Sequence, residues 1–142
     1  MRTSPWCSTR SDAIVRWSWL AVATWMIVVL LNSSVPAAPL PAGGLLAALL
    51  SKAGHVLEYL ILGFLACRAL DASRDAVRLG PAARAVLVMI GGSVFASLDE
   101  LRQFFVPGRG ANPLDVVIDG VALGALSITR VRLAPGQMRG PG

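Results

Sequence analysis

The chain has 142 residues, 55% hydrophobic and 15% charged, whereas an ordinary soluble domain is about a quarter charged. Long apolar runs with so few polar residues exclude a single water-soluble core and favour a bundle of membrane-spanning helices. The formal charge of +5 comes from thirteen basic side chains, all arginine except Lys52. They are scattered, with no dense block and no interleaved aromatics, so nucleic acid is not an expected partner.

The first apolar run, "WSWLAVATWMIVVLL", together with Ile14 and Val15 approaches the roughly 20 residues that cross a bilayer. This predicts a helix over about 14–31, and Trp17 and Trp19 suit the interface of a retained helix. The rival is a signal peptide, with Arg2, Arg10 and Arg16 as the basic region and Val35, Pro36 and Ala37 at the cleavage site. "NSSVPAAPLPAGG" follows as an uncharged loop rich in proline and glycine. The next apolar stretch, 45–70, is longer than a bilayer requires. Dividing it gives a second spanning helix over about 51–70 and leaves "LLAALL" as a short interfacial or re-entrant turn.

"DASRDAVRLGP" reads as a polar connection, with Pro81 suited to the first turn of a third helix over about 82–103. Gly91 and Gly92 within it allow close approach by a neighbour. Asn112 as N-cap, Pro113 at the first position and Asp115 at the third start a fourth helix, about 113–129. Gly120 and Gly124 give that helix a small-xxx-small packing face. The glycine- and proline-rich tail from about 134 reads as disordered. The expected architecture is therefore all-α: one domain over 1–142, a polytopic bundle of four transmembrane helices.

Basic residues set the orientation. Arg2, Arg10, Arg16, Arg68, Arg74, Arg78, Arg84, Arg130, Arg132 and Arg139 fall on one side against only Asp12, Asp71 and Asp75. That side should be cytoplasmic and should hold both termini. The other side gathers Lys52, His55, Arg102 and Arg109 with Glu58, Asp99, Glu100, Asp115 and Asp119.

Charges of the second, third and fourth helices thus converge at the extracytoplasmic end. Lys52, His55 and Tyr59 share one helical stripe, with Glu58 one step round. Glu58 lies roughly 9 Å deeper than Lys52, where a carboxylate must be paired, protonated or wetted. Asp99 and Gln103 are four apart, Glu100 and Gln103 three apart, and Arg102 lies off that face. Asp115 and Asp119 are like charges at i, i+4, so a cation should stand between them: Arg109, Lys52, a protonated His55 or a bound ion. Plain roles compete with these. Asp115 can serve the helix N-terminus, Arg102 can be an interfacial arginine, Lys52 can snorkel, and the whole cluster can be an architectural network.

Cys7 and Cys67 have neither metal-ligand spacing nor histidine neighbours and read as small apolar side chains. No cofactor and no dedicated metal site are implied. Ser51 and Ser97 lie near the cluster, but no nucleophile, base and orienting group come together in the sequence, so enzymatic activity stays open.

"SKAGHVLEYLILGFL" and "SLDELRQFFVPGRGANPLDVVIDGVALG" together resemble the VanZ-like family of small bacterial membrane proteins. The resemblance implies a four-helix bacterial inner-membrane protein. It carries over Lys52, His55, Tyr59, Asp99, Glu100, Gln103, Arg109 and Asp115 as motif positions, and Asp119 matches a further one. Because the family takes its name from a member linked to low-level teicoplanin resistance, the resemblance also implies a cell-envelope role of that kind. Three functional classes follow. The cluster binds or modifies a polar group on a lipid or cell-wall precursor, it is a non-enzymatic scaffold or interaction module, or it forms a proton or metal site from His55, Glu58, Asp99 and Glu100. Lipid bilayer is the expected surrounding, and the oligomeric state is left open.

Overall fold

The computed structural model describes residues 5–35, 45–107 and 112–133, with the side chains of 5–11, 45–48, 51 and 74 outside that description. Five α-helices and no strand occur among the described residues: α1 Pro5–Ser34, α2 Leu45–Ala72, α3 Arg74–Val77, α4 Pro81–Gln103 and α5 Pro113–Leu133. The loop over 36–44, the turn at 108–111 with Arg109, the tail from 134 and the side chains of Cys7 and Ser51 all fall outside the described residues.

Two sequence expectations need correction. "LLAALL" is not a separate turn, because α2 runs unbroken from Leu45 to Ala72. Leucine and alanine are among the best helix formers, and Gly54 alone does not overcome them. The connection after α2 also holds a short helix, α3. Ser73 makes the break: it is extended, at φ −82° and ψ 118°, and its hydroxyl donates to the Ala69 carbonyl at 2.7 Å. Pro81 opens α4 after an extended Gly80, where its missing N–H costs no helical bond.

Three helices are long and apolar enough to cross a membrane: Asp12–Ser34, Lys52–Ala72 and Pro81–Gln103. The pattern of burial agrees. Trp17, Leu31, Ile90, Leu98 and Val121 are exposed, while Ser33, Asp99, Glu100, Gln103, Asp119 and Ser127 are buried. That inverts the arrangement of a water-soluble protein and suits lipid as the solvent, with polar groups turned to the bundle interior.

Cross-helix contacts fix the directions. Along α2 and α5 the matched levels are Lys52 with Asp115, His55 with Asp119, Gly63 with Leu123 and Leu126, and Asp71 with Arg130, so these helices run parallel. Asp71 with Arg84 makes α4 antiparallel to α2, and Trp19 with Ser73 does the same for α1. The result is an up-down-up-down bundle of α1, α2, α4 and α5. Its arginine-rich end carries the start of α1 and the finish of α5, and the acidic cluster lies at the opposite end.

Between the two polar ends, Val22, Leu62, Val88, Phe95 and Leu123 form the apolar core. Leu123, fully buried, acts as a knob between glycines. A Cβ at Gly63 would come within 3.0 Å of its Cδ2, and one at Gly92 would collide with it outright. Gly91 has open space around it, so only one of the paired glycines makes the close approach. Gly120 and Gly124 face Ser93 and Met89 of α4, which a Cβ at either glycine would meet at ordinary contact distances of 3.8 and 3.6 Å. Their small-residue face is thus occupied within the chain.

Candidate functional site

The acidic end is built in two layers. The first joins α1 to α4 and centres on Asp99, whose side chain is 2% exposed. Ser33 Oγ donates to Asp99 Oδ1 at 2.6 Å, Arg102 Nη2 donates to the same oxygen at 3.1 Å, and Gln103 Nε2 donates to Oδ2 at 2.9 Å. Three donors, one of them charged, offset the cost of burying the carboxylate. Arg102 also donates to the Leu30 carbonyl at 2.8 Å and to Ser34 Oγ at 2.6 Å. It is therefore a clamp on the end of α1, not the interfacial arginine lying off the polar face that helix spacing suggests.

Glu58 and Glu100 are also held by neighbours. Asn32 Nδ2 donates to Glu58 Oε1, and the Trp25 indole donates to the Glu58 carbonyl at 2.9 Å, so Glu58 turns toward α1 and away from the stripe of Lys52, His55 and Tyr59. Glu100 accepts the backbone N–H of Asn112. Asn112 in turn caps α5, its Oδ1 accepting from Leu114 N at 3.1 Å. A glutamate on one helix thus satisfies an N-cap amide at the start of the next, the role a capping box normally fills from within a single helix.

The second layer joins α2 to α5 and resolves the two like charges on α5. Lys52 pairs with Asp115, so Asp115 neutralises a lysine instead of merely serving the helix N-terminus, and Lys52 does not simply snorkel. One turn deeper, His55 Nδ1 stands 3.6 Å from Asp119 Oδ2, beyond hydrogen-bonding range. His55 and Asp119 are nearly enclosed, with side chains 11% and 4% exposed.

Tyr59 lies below them, 1% exposed, its ring 6.2 Å from that of Phe95 and within electrostatic reach of Asp119, Asp99, Glu58 and Glu100. In this layer the Tyr59 hydroxyl, His55 Nδ1 and Asp119 Oδ1 are buried without a hydrogen-bond partner among the described residues. A buried polar atom left unpaired costs about 1–3 kcal/mol, so three together are a costly arrangement unless something else engages them.

Lys52, His55, Tyr59, Asp115 and Asp119 thus come together on α2 and α5, Asp99 and Gln103 form the α1–α4 layer, and Glu58 and Glu100 flank these. Helix periodicity missed Asn32, Ser33 and Ser34, which supply the α1 side. The serine pair at the end of a spanning segment was the available signal. Among the described residues no three histidine, cysteine or carboxylate side chains gather at metal-binding distance. Ser97 turns back to donate to the Ser93 carbonyl at 2.9 Å, and Cys67 is a free, buried thiol.

Comparison with protein-family models, curated proteins and solved structures found no match. Fold and composition define an all-helical protein with three helices able to cross a membrane.

Proposed function

We propose that the chain is a VanZ-like cell-envelope protein of a bacterial inner membrane, whose extracytoplasmic cluster binds or acts on a small polar group of a lipid-linked or cell-wall precursor, a role akin to teicoplanin resistance. The observation that carries this reading is the layer of Tyr59, His55 and Asp119, in which the Tyr59 hydroxyl, His55 Nδ1 and Asp119 Oδ1 are buried together without a hydrogen-bond partner among the described residues, His55 and Asp119 approaching each other only to 3.6 Å. Such a set can donate to and accept from a hydroxyl, amide or amine that enters between α2 and α5. The motif resemblance supports the envelope role.

The same reading has four spanning helices and both termini in the cytoplasm. α5 carries Asp115, Asp119, Arg130 and Arg132, a charge load that on a lone helix would oppose insertion. Support for its crossing is that Asp115, Asp119 and Arg130 face partners on α2, so those three charges are met by side chains of a neighbouring helix. Single cysteines at Pro39 and Gly108, in a background lacking Cys7 and Cys67, should react with a membrane-impermeant thiol reagent in intact cells. Protection of both positions would rule out this orientation.

A second reading, a non-enzymatic scaffold or interaction module, is favoured by the Asp99 layer, in which Ser33 and Arg102 tie α1 to α4. The two are separated by conservative changes. His55→Gln and Glu100→Gln should abolish an envelope phenotype, such as altered teicoplanin sensitivity in a suitable host, while the protein still accumulates in the membrane. Retention of the full phenotype by both variants at normal membrane levels would favour the scaffold.

A further inference from the structure

At the arginine-rich end, opposite the cluster described above, α2, α3, α4 and α5 line a half-open cavity of ≈ 740 Å³. Asp71 closes the last turn of α2, Arg84 lies in the first turn of α4 and Arg130 in the last turn of α5. Arg84 Nη1 donates to Asp71 Oδ1, and Arg130 Nη1 lies 3.5 Å from Asp71 Oδ2. Two guanidinium groups therefore converge on one carboxylate and leave a net positive charge at the cavity.

Several features make this more than a lock between helices. Asp71 is 49% exposed, and ion pairs that wet contribute only about 0–1 kcal/mol, so the carboxylate is a weak competitor for the arginines. Arg84 Nε is buried with no partner, a directional donor left unused beside the cavity. Arg130 is held in place by stacking over the Phe64 ring at 5.1 Å. The rest of the wall is apolar: Phe64 on α2 and Ala85 on α4 lie deeper in the bundle than the charged rim, and Val131 and Leu133 follow Arg130 at the end of α5. A charged rim at the ends of the helices, beside an apolar wall, matches an amphiphile with an anionic head.

We propose that this cavity binds an anionic phospholipid, its phosphate diester held by Arg84 and Arg130 and its acyl chain running inward along Ala85 and Phe64. Planar guanidinium forks suit a phosphate gripped at two oxygens, and basic pockets between helices at a membrane surface take such headgroups. The site lies at the other end of the bundle from the Tyr59 layer, so either can fail without the other.

The test uses the full chain in mixed micelles of phosphatidylglycerol and phosphatidylcholine, with the singly lipid-bound species quantified by native mass spectrometry. Wild type should retain phosphatidylglycerol over phosphatidylcholine by about fivefold, the scale of one basic group beside an anionic surface. The Arg84→Gln/Arg130→Gln variant should retain both lipids equally. The Arg78→Gln/Arg132→Gln variant loses the same charge from exposed positions at the same end, and it should keep the preference.

Absence of a preference in wild type, or an equal loss in both double variants, would overturn the proposal. Ammonium phosphate in excess over lipid should leave the bound phosphatidylglycerol in place. Its displacement would assign the site to a free anion and overturn the lipid assignment. If the glutamine pair does not fold, Arg84→Lys/Arg130→Lys keeps the charge but removes both forks, and full retention of the preference in that variant would contradict the proposal.

Discussion

Arg102→Gln is expected to be the most damaging single change at the acidic end, lowering stability by about 3 kcal/mol, the lower end of what an unpaired buried charge costs. The lower end applies because Arg102 is 36% exposed while Asp99 is 2% exposed. Without the guanidinium, Asp99 keeps only the neutral donors Ser33 and Gln103, and the Leu30 carbonyl and Ser34 lose their cross-helix partner. The end of α1 should then detach from α4. Thermal unfolding in detergent reads the effect. Asp99→Asn combined with Arg102→Gln should recover most of the loss, because the amide retains an acceptor for Ser33 or Gln103 and no buried charge remains. Strict additivity of the two changes would mean that Asp99 and Arg102 are not coupled. Arg102→Lys should fall between, keeping charge without the fork that reaches α1 and Asp99 together.

Much of this architecture is legible from single helices. Apolar runs bounded by proline and glycine mark the spanning segments, and Asn112 followed by Pro113 marks the start of α5, because caps and breakers act within a few residues. The convergence of Lys52, His55, Tyr59, Asp115 and Asp119 is also legible, from stripe spacing and from which end of each helix bears charge. What spacing could not supply is the partner across the interface.

Lys52 and His55 are three residues apart and Asp115 and Asp119 four apart, and only the parallel packing of α2 on α5 matches them one to one. Arg102 shows the same limit. On a helical projection it leaves the Asp99–Gln103 face, yet its long side chain reaches back across to α1. The mistaken break after "LLAALL" has a different origin. Bilayer thickness limits how much of a helix is surrounded by hydrocarbon, not how long the helix continues beyond it.

The second large effect is expected at Tyr59, and it runs opposite to the first. Its hydroxyl has no hydrogen-bond partner among the described residues, so Tyr59→Phe removes a polar atom that costs about 1–3 kcal/mol when left unpaired. A purely architectural Tyr59 should therefore lose nothing, and thermal stability should hold or rise, with the Phe95 ring contact retained. If the hydroxyl instead engages a polar group of a bound precursor, the same change should weaken that engagement by about tenfold, the scale of one hydrogen bond of roughly 1.4 kcal/mol. Stability and function then move in opposite directions, a separation that changes at Asp99 or Arg102 cannot give, because there both fall together.

The most direct measurement compares wild type and Tyr59→Phe at matched membrane levels in a host where the chain alters teicoplanin sensitivity. A polar site formed by Tyr59, His55 and Asp119 predicts loss of the phenotype with an unchanged or raised thermal midpoint. Full phenotype in the Tyr59→Phe protein would contradict it and leave the acidic end as a lock between helices.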